Sequence, residues 1–114
     1  MHEVALMEQA IEILRSSMHV NGIKQVTKVK MVVGKMTAPL PEALKFAFEV
    51  FSLQEEWLKG SDFEIENKEI TAGCQNCNTI YEVSDYRFIC PVCSGSDHRI
   101  ESGRELYIDH YEGE

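Results

Sequence analysis

The most specific chemistry in this sequence lies in four cysteines: Cys74-Gln75-Asn76-Cys77, twelve intervening residues, then Cys90-Pro91-Val92-Cys93. Two residues between the thiols of a pair let both sulfurs of one tight turn converge on a single ion, and two such knuckles complete a tetrahedral cage. The chain has no other cysteine. The spacing predicts a closed structural Zn2+ site at Cys74, Cys77, Cys90 and Cys93. Two disulfides would need an oxidising compartment, of which the sequence gives no sign, and a redox dithiol needs only one pair. Iron also suits four thiolates in a tetrahedron, which keeps a rubredoxin-like electron carrier open. Against iron, Asn78 and Ser94 stand where such knuckles usually turn on glycine. The loop between the pairs is short for a zinc ribbon, but Thr79, Ile80, Tyr81, Val83, Tyr86, Phe88 and Ile89 have the β-branched and aromatic character of a hairpin.

A second candidate site is the sequence Met1-His2-Glu3. A free α-amine, the amide nitrogen of residue 2 and the His2 Nδ1 can bind one metal together, closing a five-membered and a six-membered ring. A deprotonated amide nitrogen suits the square-planar preference of Ni2+ or Cu2+ and leaves a fourth position for the Glu3 amide, a carboxylate or another imidazole. Methionine aminopeptidases act when residue 2 is small, so the bulky His2 is expected to preserve Met1. The competing reading is an ordinary frayed terminus.

Several function classes are disfavoured by composition. At 114 residues and 44% apolar content, the chain suits one compact domain carrying a small module that folds only with its metal. A formal charge of -8 weighs against nucleic-acid binding, which relies on Lys and Arg neutralising phosphates. No apolar run approaches a membrane span, and Glu3, Glu8 and Glu12 stand where a secretory signal needs basic and then apolar residues, so a cytoplasmic protein is expected. It does not read as an enzyme: no nucleophile stands near a His/Asp pair in a recognisable motif, and a zinc held by four thiolates has no open position for water.

These sites must be positioned by a small α+β scaffold. Val4, Met7, Ile11, Leu14 and Met18 recur at helical spacing, and Asn21-Gly22 ends that helix, with His19 on the surface of its last turn. Gln25 to Val33 alternates as a strand, with Val29, Met31 and Val33 on the buried face and Gly34 as its end. Lysines 24, 28, 30 and 35 form a basic patch that reads as a solvated face or as a dock for an acidic surface. Pro39-Leu40-Pro41-Glu42 opens a second helix with Leu44, Ala47, Phe48 and Phe51 in its core stripe, widened by Phe46 and Val50. A helical turn carrying Trp57 follows. Asp62 to Thr71 and Arg104 to Tyr111 read as strands flanking the cysteines, and the simplest topology pairs them antiparallel. The expectation is a small, mostly antiparallel sheet covered by two helices, with an inserted zinc-ribbon module built on rubredoxin-like knuckles. In that scheme 1–72 with 100–114 form the α/β domain that carries the candidate Ni2+ or Cu2+ site at its N-terminus, and 73–99 form the inserted zinc module.

Met1-His2-Glu3 leading into an amphipathic helix, Val32-Val33-Gly34, the run Pro41-Glu42-Ala43-Leu44-Lys45-Phe46-Ala47-Phe48-Glu49-Val50, the doubled knuckles and Gly103-Arg104-Glu105-Leu106 together resemble the HypA/HybF family. That family comprises nickel metallochaperones of nickel-iron hydrogenase maturation. The resemblance runs the full length and in order. It departs at Val4-Ala5-Leu6, where the family often has a serine, and from Ser52 to Gly60. It implies nickel at His2 and its backbone, with Met1 and Glu3, and structural zinc at the four cysteines. It also implies delivery of the nickel with a HypB-type GTPase towards the hydrogenase large subunit, and it is compatible with a homodimer. His98 is a further candidate nickel ligand, whereas His110 continues the alternation of Leu106 and Ile108 and reads as structural. The competing functions are a zinc-ribbon adaptor for protein or nucleic acid and the iron carrier.

Overall fold

The computed structural model describes residues 3–37 and 39–114. They form two compact units: the described residues of Met1–Val32, Ala38–Glu66 and Tyr107–Glu114 in one, and Val33–Thr37 with Asn67–Leu106 in the other.

The first unit is built on two helices, α1 (Glu3–Val20) and α2 (Pro41–Gln54), which pack together. Met7, Ala10, Ile11, Leu14 and Met18 bury the inner face of α1, while Val4, expected in that stripe, is 57% exposed in the first turn. The helix ends in a Schellman motif: Ile23 N–H donates to Met18 O and Gly22 N–H to His19 O, with Gly22 at φ 66°. Pro41 starts α2, where its missing N–H costs nothing. Leu44, Ala47 and Phe48 are buried, and Phe48 stacks on Phe63 with centroids 4.5 Å apart. Phe46 and Val50, expected to widen that core, are exposed instead. Each is two residues from Phe48, a rotation of about 200° on a helix, so both face the opposite way. Trp57 sits in a 3-10 turn, Glu56–Leu58, under the Arg15 guanidinium, and Arg15 is ion-paired with Glu12 and Glu55.

Strand β1 (Val26–Gly34) is central in a sheet ordered β2-β1-β6, with β2 at Asp62–Lys68 and β6 at Leu106–Gly113. Contacts from β1 to β2 advance in step along both: Val26 O accepts from Ser61 Oγ, Lys28 pairs with Glu64, Lys30 with Glu66, and Lys35 N–H donates to Lys68 O. The two are therefore parallel, a pairing that requires a crossover, which α2 supplies. Gln25 with Glu114 and Gly34 with Glu105 run in opposite directions, so β6 is antiparallel to β1. The lysine patch is thereby corrected: Lys28, Lys30 and Lys35 are paired with Glu64, Glu66 and Glu69 and do not form a free basic surface. Val32 is buried as well as Val33, so the end of β1 has no wet face.

In the second unit β3 (Thr71–Cys74) lies between β4 (Ile80–Glu82) and β5 (His98–Ser102), antiparallel to both. The run expected as one strand from Asp62 to Thr71 is thus two, and it is β3 and β5 that close the metal module antiparallel. The hairpin expected between the knuckles is also different: Ile80–Glu82 pairs back onto β3, and the chain then turns at Ser84–Arg87 with Asp85 and Tyr86 at φ 53° and 56°. Ile70, Ala72, Cys74, Tyr81, Val83 and Cys90 form the core here, with Met36 and Phe88 against it. The α+β expectation stands, with two helices, small sheets antiparallel apart from β1–β2, and a zinc-ribbon-like cysteine cluster. Among the described residues no helix is long and apolar enough to cross a membrane.

Candidate metal centre

The two knuckles are built alike. Asn78 N–H donates to Cys74 O and Ser94 N–H to Cys90 O, both at 2.9 Å; Cys74 N–H donates to Thr79 O at 2.8 Å and Cys90 N–H to Gly95 O at 2.9 Å. Asn78 and Ser94 adopt φ of 63° and 62°. They take the left-handed conformation that glycine usually supplies, so their identity is no argument against rubredoxin-like knuckles.

This backbone brings the four Sγ atoms together, all within 4.8 Å of one another. Cys74 and Cys93 sulfurs are 3.5 Å apart and those of Cys77 and Cys90 3.6 Å, with no disulfide. A tetrahedron with Zn–S bonds of about 2.3 Å places its sulfurs about 3.8 Å apart, so the cluster fits zinc in both donor type and size. Each knuckle buries its first cysteine, Cys74 or Cys90, and exposes its second, Cys77 or Cys93.

Donors surround the sulfurs. Thr79 Oγ1 lies 3.2 Å from Cys77 Sγ, Asn76 Nδ2 3.7 Å from Cys93 Sγ, and Val92 N–H 3.4 Å from Cys90 Sγ. Without metal, the Thr79 hydroxyl and then the Thr79 amide hold the Cys77 thiol down to about 6. The Gly95 amide, followed by the Asn76 side chain, also lowers Cys93. Cys74 moves the other way, to about 11: the Cys77 amide favours its thiolate, but burial and the neighbouring Cys93 and Cys77 thiols outweigh that. The Tyr81 hydroxyl is buried without a hydrogen-bond partner among the described residues and is raised, first by burial and then by the charges of Cys74, Cys90 and Cys93.

Met1 and His2 lie outside the described residues. Glu3 opens α1, and its carboxylate accepts the Leu40 N–H at 3.2 Å, joining the starts of the two helices. His98 is on a strand: it opens β5 opposite Cys74, its ring stacks on Phe88 at 4.2 Å, and its Nδ1 is 2.9 Å from Ser96 O. His110 is exposed on β6 and paired with Asp109 at 2.7 Å, so it does not continue the buried alternation.

Residues 1–113 match the family model described as "Hydrogenase/urease nickel incorporation, metallochaperone, hypA". The chain belongs to the HypA family. It is 34% identical to the hydrogenase maturation factor HypA of Moorella thermoacetica over the whole of both chains. Two solved structures share the fold at 19% identity: the Ni metallochaperone HypA from Helicobacter pylori, at a TM-score of 0.69 over 99% of this chain and 97% of that one, and a second HypA solution structure, at 0.75 over 100% and 97%. HypA proteins are nickel metallochaperones of hydrogenase maturation that bind nickel and zinc, and the four-thiol cluster fits the structural zinc.

From the sequence Thr79 reads only as a hairpin residue and Asn76 only as a spacer within its knuckle, neither as a partner of the sulfurs. A hydroxyl two residues after a knuckle cysteine and an amide one residue before it were the available signals.

Proposed function

We propose that the chain carries Ni2+ as cargo at Met1-His2-Glu3 and passes it, with a HypB-type GTPase, to the hydrogenase large subunit, while Cys74, Cys77, Cys90 and Cys93 hold a structural Zn2+. The family match from residue 1 to residue 113 carries this reading. A free Met1 amine, the His2 amide and the His2 Nδ1 offer a compact planar chelate, and the fourth position falls to Glu3 or to an incoming imidazole such as His98. An open terminal site releases its ion to an acceptor more readily than a closed cage does. The zinc cage, shut by four thiolates, is suited to structure and not to transfer.

The test is nickel titration of untagged, N-terminally tagged, C-terminally tagged and His2→Ala proteins, read by calorimetry and square-planar Ni2+ absorption. Tight binding is expected only in the untagged and C-tagged forms, and equal affinity in all four overturns the nickel assignment. Protonating the His2 imidazole removes a ligand, so affinity is expected to fall as pH drops through about 6.5.

Because the knuckle backbone is also the one that iron centres use, metal content decides between the two metals. Colourless protein with one zinc per chain is expected, and a coloured iron protein overturns the zinc assignment.

A further inference from the structure

The cage is not symmetric with respect to solvent. Cys74 and Cys90 are 0% and 1% exposed, while Cys77 and Cys93, one from each knuckle, reach the surface. Among the described residues, only these outer two sulfurs receive side-chain hydrogen bonds from outside the cysteine set, and both donors come from the first knuckle: Thr79 Oγ1 to Cys77 at 3.2 Å and Asn76 Nδ2 to Cys93 at 3.7 Å. The Asn76 contact crosses from one knuckle to the other. Its amide must present nitrogen, since a thiolate accepts and cannot donate. Gly95 lies close by: a Cβ built there would come 3.2 Å from Cys93 Sγ, so no side chain at residue 95 blocks that sulfur.

Resting on the zinc reading above, we propose that Thr79 and Asn76 are positioning residues that hold the outer edge of the cage closed, and that metal enters and leaves at the Cys77–Cys93 edge. Four thiolates around Zn2+ leave a net charge of two minus. Hydrogen bonds that draw density from a sulfur lower its charge and its nucleophilicity towards outside electrophiles, and their geometry fixes where the sulfur points. The inner sulfurs are shielded by burial. The outer ones have no such protection, so their stability as ligands depends on the donors they are given. Opening then proceeds stepwise: the Zn–S bond at Cys93 or Cys77 breaks, a donor nitrogen of an incoming chelator takes its place on zinc, and the sulfur leaves as a thiolate with the bonding electron pair, held by its hydrogen-bond donor. Cys74 and Cys90 separate last.

The experiment uses the full-length, zinc-loaded protein and the variants Thr79→Val, Asn76→Leu and Thr79→Ser. Zinc transfer to a colorimetric chelator, the sulfur-to-cobalt charge-transfer band of the Co2+-substituted protein, and the order of alkylation by limiting iodoacetamide are followed. Thr79→Val keeps the shape of the side chain and removes only the hydroxyl. Zinc release about ten-fold faster, with a charge-transfer band moved to lower energy, is expected in Thr79→Val and Asn76→Leu, within the range of outer-shell losses at zinc sites. Thr79→Ser should restore both. Cys77 and Cys93 should be alkylated before Cys74 and Cys90 in the wild type. A change in folding alone would not move the band and then be rescued by serine. Wild-type release rates and an unmoved band in both variants, or inner cysteines modified first, overturn the caps while the zinc reading stands. Failure of the wild type to hold zinc or cobalt overturns the zinc reading and the caps together.

Discussion

A Cβ on Gly34 would lie 2.1 Å from the carbonyl oxygen of Gly103, well inside contact distance. The two backbones meet where Gly34 N–H donates to Glu105 O and Met36 N–H to Gly103 O, and Gly103 takes φ 122°, a conformation open to glycine. Gly34 is therefore not simply a strand breaker. Gly34→Ala is expected to cost about 3 kcal/mol, the upper end of overpacking losses, because backbone and not a flexible side chain must give way. Gly22→Ala, with nothing within 4 Å but a positive φ, should cost only about 1–2 kcal/mol. Urea unfolding of both variants is the measurement, and equal losses would refute the close-approach argument.

On α2, Phe48→Ala is expected to lose about 3–5 kcal/mol, since the ring is buried and stacked on Phe63. Phe46→Ala, 66% exposed, should stay within about 0.5 kcal/mol. Thermal unfolding of the pair tests which face is core, and comparable losses would contradict the burial seen here.

That pair also marks where the sequence was legible. Helix existence and the inner stripes of α1 and α2 could be read because periodicity is local. Phe46 and Val50 were misassigned because a helix rich in apolar residues all round does not say which of its faces will meet the sheet. The parallel β1–β2 pairing was hidden for a related reason: Phe63 and Ile65 alternate in the same way whether their neighbour runs parallel or antiparallel. The four cysteines were legible from spacing alone. Spacing also put Asn78 and Ser94 at the knuckle turns, but not their left-handed conformation, and the donors Thr79 and Asn76 were hidden because those residue types serve many turns and only the folded backbone aims them at sulfur.

Zinc removal should act on one unit. Structural zinc supplies about 10–16 kcal/mol in isolated finger peptides, more than the small core around Tyr81 and Val83 replaces, whereas α1 and α2 belong to the other unit with its own buried side chains. Cys74→Ala, or chelation of the wild type, is expected to abolish zinc binding while Trp57 fluorescence and the helical circular-dichroism signal persist. Loss of the Trp57 environment together with zinc would show that the helical unit does not fold independently of the cage.

The last prediction concerns the metal-free thiols. Thr79 holds Cys77 at about 6, below an unfolded thiol near ~8.5, so folding favours its thiolate. That contribution is present above the unfolded value and is lost as pH falls through the folded one. Cys74, raised to about 11, is protonated at pH 7, and burial further slows its reaction. Iodoacetamide at pH 7 should therefore modify Cys77 before Cys74 in the metal-free protein, with the preference declining below pH ~6 as Cys77 takes up its proton. Thr79→Val removes the largest cause of the depression, so the pH midpoint for Cys77 should move upward towards the ordinary thiol range. Peptide mass spectrometry after timed quenching reads both the order and the midpoint. Equal rates at Cys77 and Cys74 across pH 5 to 9, or a midpoint unchanged by Thr79→Val, would rule out the hydroxyl as the group that holds the Cys77 thiolate.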